Sequence, residues 1–290
     1  MPKFFQNMKK TTRSLTNLWI RPLIVSSVML ACTVSLHAEV RVDASNIPLA
    51  EGEVGEAKAK STPTPAATKL PPEFLPIEDQ PGLPRVLLIG DSVSVAYTLD
   101  VRRDLEGVAN LHRIPANGGS TKTALGSYGL NRWLKEGEKW DIIHFNFGLH
   151  DASYRFADDL DKDAAGNYAS PTNGGRPNVS VEQYEKNLRE IIPILRKTGA
   201  KLIFATTTPI PDSKAEKYVQ GSEVGYNDVA RKVMQEENIP INDLWTLAMP
   251  QLTSKNSSGE PFQTPRNVHF GKWSSAILGK QVAESIKQNL

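Results

Sequence analysis

Acyl transfer by a serine needs a hydroxyl, a base to take its proton and donors aimed at the oxyanion that develops. Ser92 is the serine best placed for this. It ends Gly90-Asp91-Ser92, directly after Val86, Leu87, Leu88 and Ile89. Four consecutive apolar residues between Pro84 and Gly90 read as a strand buried on both faces, and 94–105 has helical spacing. The hydroxyl therefore sits on a strand-to-helix turn. In an open parallel sheet that turn lies at the carboxyl edge, where the unpaired N–H groups of the next helix favour an anion. Asp91 reads first as a cap on that helix, and second as a charge acting on the site.

The chain has five histidines. His37 falls in the leader, His112 lies beside a strand, and His144 alternates with Ile142 and Asn146 in a buried strand, where a hydrogen-bonded core role fits best. His269, in Asn267-Val268-His269-Phe270-Gly271 before the last helix, is the best general base. His150 follows the third strand in Gly148-Leu149-His150-Asp151, so it too reaches the carboxyl edge.

The elements that must position these groups alternate regularly. Strands are expected near 86–89, 110–114, 142–147, 201–206 and 240–242. Helices are expected over 94–105, 121–136, 180–199, 225–237 and 274–288, with a helical turn over 244–249. Repeated strand–helix units predict an α/β protein, a three-layer α/β/α sandwich around a parallel sheet. The stretch 155–178 is rich in Asp, Gly, Asn and Pro, and its length suits a loop that sets specificity.

Gly90-Asp91-Ser92 after the first strand, the turn Asn117-Gly118-Gly119 after the second, Gly148-Leu149-His150-Asp151 after the third and His269 before the last helix occur in the order of the four blocks of the SGNH (GDSL-type) hydrolases. Over residues 85–290 the chain resembles that family. The resemblance implies a flavodoxin-like fold and a serine esterase needing no cofactor or metal. In it Ser92 is the nucleophile and His269 the base. The oxyanion is held by the Ser92 amide, by the amide of Gly118 or Gly119, and by the third-block side chain. Two positions depart from the pattern. His150 stands where the family has asparagine, and its imidazole would need to be neutral and held by Asp151 or a carbonyl. Arg266 stands where the family has the aspartate that orients the histidine, which leaves Asn267, a backbone carbonyl or Asp243 for that task.

The first 38 residues carry Lys3, Lys9, Lys10, Arg13 and Arg21 with no acid, then an apolar run to Leu36 and a small residue, Ala38. This pattern predicts a secretory signal and an exported or periplasmic product. Losing those five from 34 leaves 29 basic against 32 acidic residues, a net charge near −3, which argues against nucleic acid or an anionic membrane as partner. Cleavage before Cys32, giving a lipoprotein, is the weaker alternative. Residues 39–83 read as a Pro- and Ala-rich linker, largely disordered, and 84–290 as the catalytic domain. The expected substrate is a small-molecule or polysaccharide ester, with removal of acetyl groups from polysaccharide the favoured form. The alternatives are a lipid or phospholipid esterase, and an inactive carbohydrate-binding or envelope protein of the same fold.

Overall fold

Hydrophobic runs too short to be helices, alternating with helices, produce a wound sheet. In the computed structural model the described residues are 70–157, 159–210 and 217–290, so the signal, Cys32 and the first part of the linker lie outside them. In chain order the elements are β1 (Arg85–Ile89), α1 (Ser92–Asp104), β2 (Asn110–Arg113), α2 (Thr121–Leu125), α3 (Leu130–Trp133), β3 (Ile142–Phe145), α4 (Leu149–Ala152), β4 (Tyr154–Arg155), β5 (Arg176–Pro177), α5 (Val181–Arg196), β6 (Lys201–Ala205), α6 (Glu223–Glu236), β7 (Ile241–Asn242), α7 (Leu244–Ala248) and α8 (Lys272–Lys287). The main sheet runs β2-β1-β3-β6-β7, with every pairing parallel. Helices cover both faces, as the alternation predicts.

Val86, Leu87, Leu88 and Ile89 are at most 2% exposed, so β1 is packed on both sides. Burying each such side chain contributes about 1.5–3 kcal/mol, which fixes the register that ends at Gly90. α1 packs on α8, and α5 on α6. On α5 the apolar set Leu188, Ile191, Ile192 and Leu195 faces the core at helical spacing.

Two expectations change. The helix expected over 121–136 is two short pieces, because the chain leaves helical geometry at Gly126 and restarts only after Gly129, whose N–H closes a turn onto the Gly126 carbonyl at 3.0 Å. The stretch 155–178 is not plain loop: β4 and β5 pair antiparallel at its base, and Lys162 bridges Tyr168 within it. The segment before residue 84 makes hydrogen bonds to the elements that follow it. Arg102 donates to the Pro72 and Leu75 carbonyls at 3.2 and 3.0 Å, and Asn110 donates to those of Gln80 and Leu83 at 3.1 and 3.2 Å. The segment is also held through the Gln80 N–H, which donates to Asn110 Oδ1 at 2.8 Å, and through Asp79, which pairs with Arg85 at 2.8 Å.

Among the described residues no helix is long and apolar enough to cross a membrane, and no group of three or more His, Cys, Asp or Glu is arranged to hold a metal ion.

Candidate active site

Ser92 is the first residue of α1, so its N–H is among the amides that a helix start leaves unpaired. Asp91 caps the helix, its carboxylate accepting from the Val93 N–H at 2.9 Å, which is the first of its two readings. Ser92 Oγ lies 2.8 Å from His269 Nε2, across 177 residues of sequence.

The histidine is held by a tight hairpin. Gln263 bridges Phe270, and Thr264 donates to the His269 carbonyl at 2.9 Å. Buried Gln263 donates to the Pro209 and Val268 carbonyls at 2.9 and 3.1 Å, tying this hairpin to the loop after β6. Arg266 is exposed at its apex with φ 59°, so it does not face the imidazole. Asn267 does. Its Oδ1 accepts from the His269 backbone N–H at 3.1 Å and lies 2.6 Å from His269 Nδ1. A backbone N–H can only donate, so the amide atom facing the histidine is the oxygen, and Nδ1 must then carry the proton. Nε2 is left bare toward the Ser92 hydroxyl, the tautomer a general base requires. Asp243, the distant option, is committed elsewhere: it caps α7 and accepts from Thr206 Oγ1 at 2.9 Å and Arg231 Nη2 at 3.2 Å.

The glycine turn meets the nucleophile turn directly. The Gly118 N–H donates to the Gly90 carbonyl at 2.9 Å, and a Cβ on Gly118 would lie 2.9 Å from that oxygen, so only glycine allows the approach. The Gly119 N–H meets the Asn117 side-chain oxygen at 3.0 Å. His150 is half-buried on α4. Burial lowers its pKa below the ordinary 6.5, and Lys217, Arg155 and His269 lower it further against the pull of Asp91, so the ring is neutral at pH 7.

Asp151 does not hold His150. It is fully buried and turns to Thr121, accepting from the Thr121 N–H at 3.0 Å and its hydroxyl at 2.5 Å. Asn187 of α5 donates to the same hydroxyl at 2.8 Å. Asp151 thereby fixes the start of α2 and the glycine turn before it. Among the described residues the two other histidines are structural: His144, fully buried, accepts from Asn242 Nδ2 at 3.0 Å with burial pushing its pKa down to about 4, and His112 lies against Asp79 and Trp140.

No protein-family model matches the chain, and no curated protein matches it. Solved structures do. An acetyl xylan esterase superposes with a TM-score of 0.53 at 16% identity, over 70% of this chain and 99% of its own. A lipase/acylhydrolase from Enterococcus faecalis gives 0.49 at 22% identity, over 72% and 97%, and a GDSL-like lipase from Bacteroides thetaiotaomicron VPI-5482 gives 0.49 at 12%, over 71% and 89%. The chain shares the fold of that acetyl xylan esterase.

Within this fold, two polar residues that the sequence did not single out hold the site. Gln263 anchors the histidine hairpin, and Thr121 carries the link from Asp151 to the glycine turn. A carboxyl as buried as Asp151 is hard to ionise. Burial raises its pKa from 3.8 to about 7, against the opposing Thr121 bonds. A carboxyl with a raised folded pKa binds its proton more tightly folded than unfolded. Its ionisation therefore destabilises the fold as pH rises from about 4 to about 7, by up to about 4 kcal/mol in total. Asp151→Asn keeps an oxygen for Thr121 and removes this titration. In urea unfolding the variant is expected to gain stability relative to wild type between pH 5 and pH 8. A difference between the two proteins that stays constant with pH would refute the raised pKa.

Proposed function

We propose that the chain is an exported serine esterase that hydrolyses short acyl esters through an acyl-serine intermediate, with acetyl groups on polysaccharide as the substrate class. One observation carries the reading: Ser92 Oγ and His269 Nε2 are 2.8 Å apart, with the proton-accepting nitrogen facing the hydroxyl. As His269 takes its proton, Ser92 attacks the ester carbonyl. The tetrahedral intermediate collapses as His269 passes that proton to the leaving alcohol. Water then repeats the sequence on the acyl-serine.

The oxyanion is received by the Ser92 amide, a glycine amide and the His150 imidazole. Gly119 is the glycine donor we favour. The Gly118 amide is bound to a backbone carbonyl, whereas the partner of the Gly119 amide is the Asn117 side chain, which can rotate away. Asn267 orients His269 without a carboxylate, as in the Cys-His-Asn sites of papain-like proteases.

His269 is exposed and Ser92 half-buried, so the pair is open to a bulky, hydrated substrate such as a polysaccharide. The likeness to an acetyl xylan esterase supports the same class. A second reading has its own observation: a cleft of about 650 Å³ in the insertion between β4 and β5 is lined by Phe156, Ala157, Leu160 and Ala164 together with Lys162 and Asp163, and its apolar part would suit an acyl chain. Initial rates of residues 39–290 on p-nitrophenyl acetate, butyrate and octanoate, and acetate release from acetylated xylan, separate the two. Rates falling with chain length and acetate release support deacetylation. Rates rising with chain length favour the lipid esterase, and no turnover of any ester would sink the enzyme reading. Export is tested by fractionating cells that express the whole chain.

Asn267 gives a further prediction. A hydrogen bond to a group that becomes charged is worth about 1.5–3 kcal/mol, so Asn267→Ala is expected to lower kcat by about 10–100-fold. Asn267→Asp keeps the acceptor, adds a charge that favours the imidazolium, and should hold at least wild-type kcat. Steady-state kinetics of both variants check this, and an Asn267→Ala enzyme with wild-type kcat would remove Asn267 from the mechanism.

A further inference from the structure

Arg113 ends the edge strand β2 and is only 9% exposed. Its guanidinium donates to Gly90 O at 3.0 Å, Ser94 Oγ at 2.9 Å, Thr98 Oγ1 at 3.2 Å and Ala116 O at 3.4 Å, while its Nε finds no partner. These four acceptors belong to the end of β1, the first two turns of α1 and the segment leading to the glycine turn. Gly90 O also receives the Gly118 N–H, so a single carbonyl joins Arg113, the nucleophile turn and the glycine turn.

We infer that Arg113 is a positioning residue of the acyl-transfer site, its buried cation locking the Ser92 turn to the oxyanion glycine turn and adding positive potential where the oxyanion forms. The inference rests on the serine-esterase reading above. All four hydrogen-bond acceptors are neutral, and the carboxylates of Asp91 and Glu73 act on the cation only through space, with no hydrogen bond to it. Burial lowers its pKa to about 10, which leaves it charged at neutral pH. A buried charge is a costly way to brace two turns, since well-packed apolar side chains often do so with equal or greater stability. The charge has a use here because it lies against the Gly90 carbonyl, two residues before Ser92, and against Ser94 and Thr98 in the first two turns of α1, whose N-terminal end carries the positive end of the helix dipole. Fixed positive charge aimed at developing negative charge lowers the barrier without reorganisation.

The test uses the full chain with Arg113→Gln, which removes the charge, and Arg113→Lys, which keeps it but cannot span four acceptors. Two rates are measured well below each variant's Tm: the rate constant for labelling Ser92 with a fluorophosphonate, and kcat with KM on p-nitrophenyl acetate. For Arg113→Gln we expect labelling and kcat each to fall about tenfold or more, with KM within about twofold, and for Arg113→Lys a partial recovery. A merely structural role would lower Tm and leave the rates of the folded protein unchanged, which would overturn the inference. If Arg113→Gln does not fold, Arg113→Lys decides: reduced rates with a cooperative melt support the inference, and wild-type rates refute it. Absence of labelling in the wild type would bring down the esterase reading and this inference together. A labelled wild type with an equally reactive Arg113→Gln brings down this inference alone.

Discussion

Ser92→Ala and His269→Ala each lower kcat on p-nitrophenyl acetate by about 10⁴–10⁶, and the double variant is no slower than Ser92→Ala alone. The non-additivity follows from the geometry. The hydroxyl is a weak nucleophile until a base 2.8 Å away accepts its proton, and the base has nothing to activate once the hydroxyl is gone. The two deletions remove one step. His269→Ala should fall at the lower end of the range on this substrate, because p-nitrophenolate leaves without a proton and only the general-base half of the histidine's work is lost. With an alkyl acetate both halves are lost, and the deficit should widen. Neither variant is expected to unfold the chain, since His269 is exposed and Ser92 half-buried, so the changes fall outside the packed core. Steady-state rates with thermal melts check this. A His269→Ala enzyme keeping a tenth of wild-type activity would mean that another group is the base.

Ser92 and His269 are legible in the sequence because each is fixed by local pattern. One follows a buried apolar run, and the other precedes the last amphipathic helix. The positions that depart from the family pattern were legible only as choices. Arg266 excludes itself by charge, but selecting Asn267 over Asp243 takes the hairpin from Gln263 to Phe270, which turns Asn267 inward while Arg266 occupies the exposed apex. Asp151 beside His150 invites a local pairing. Its real partner, Thr121, lies 30 residues away and is brought close by the sheet. Arg113 was illegible for the same reason, because an arginine closing a short edge strand reads as a solvated end. Only the parallel pairing of β2 with β1 carries its guanidinium to Gly90, 23 residues back. The parallel sheet with helices on both faces followed from alternation. The broken helix at 126–129 did not, because apolar spacing across two glycines resembles a continuous helix until backbone propensity is weighed against it.

The departure at residue 150 yields the second large expected effect: His150→Ala lowers kcat by about 10²–10³ with KM little changed, and His150→Asn returns activity to within about tenfold of wild type. The position is set before the side chain is considered. Gly148 turns the chain out of the sheet at φ 142°, where a Cβ would lie 2.1 Å from Thr207 Oγ1, and α4 begins at the next residue. Asn178 and Ser153 then hold the His150 carbonyl at 3.0 and 2.8 Å, fixing the backbone while leaving the ring to the site. Because burial and the nearby cations keep the imidazole neutral at pH 7, it offers one N–H, as one hydrogen of an asparagine amide would. Imidazole and amide differ in acid. As pH falls below the lowered pKa of His150, the wild-type ring becomes a cation beside Lys217, Arg155 and His269, whereas an amide at this position cannot titrate. The acid limb of kcat for His150→Asn should therefore lack one ionisation that the wild type shows. If instead His150→Ala turns over within about threefold of wild type while Ser92→Ala is inactive, the oxyanion is held by backbone amides alone, and the third block of this chain serves only to place Asp151 against Thr121.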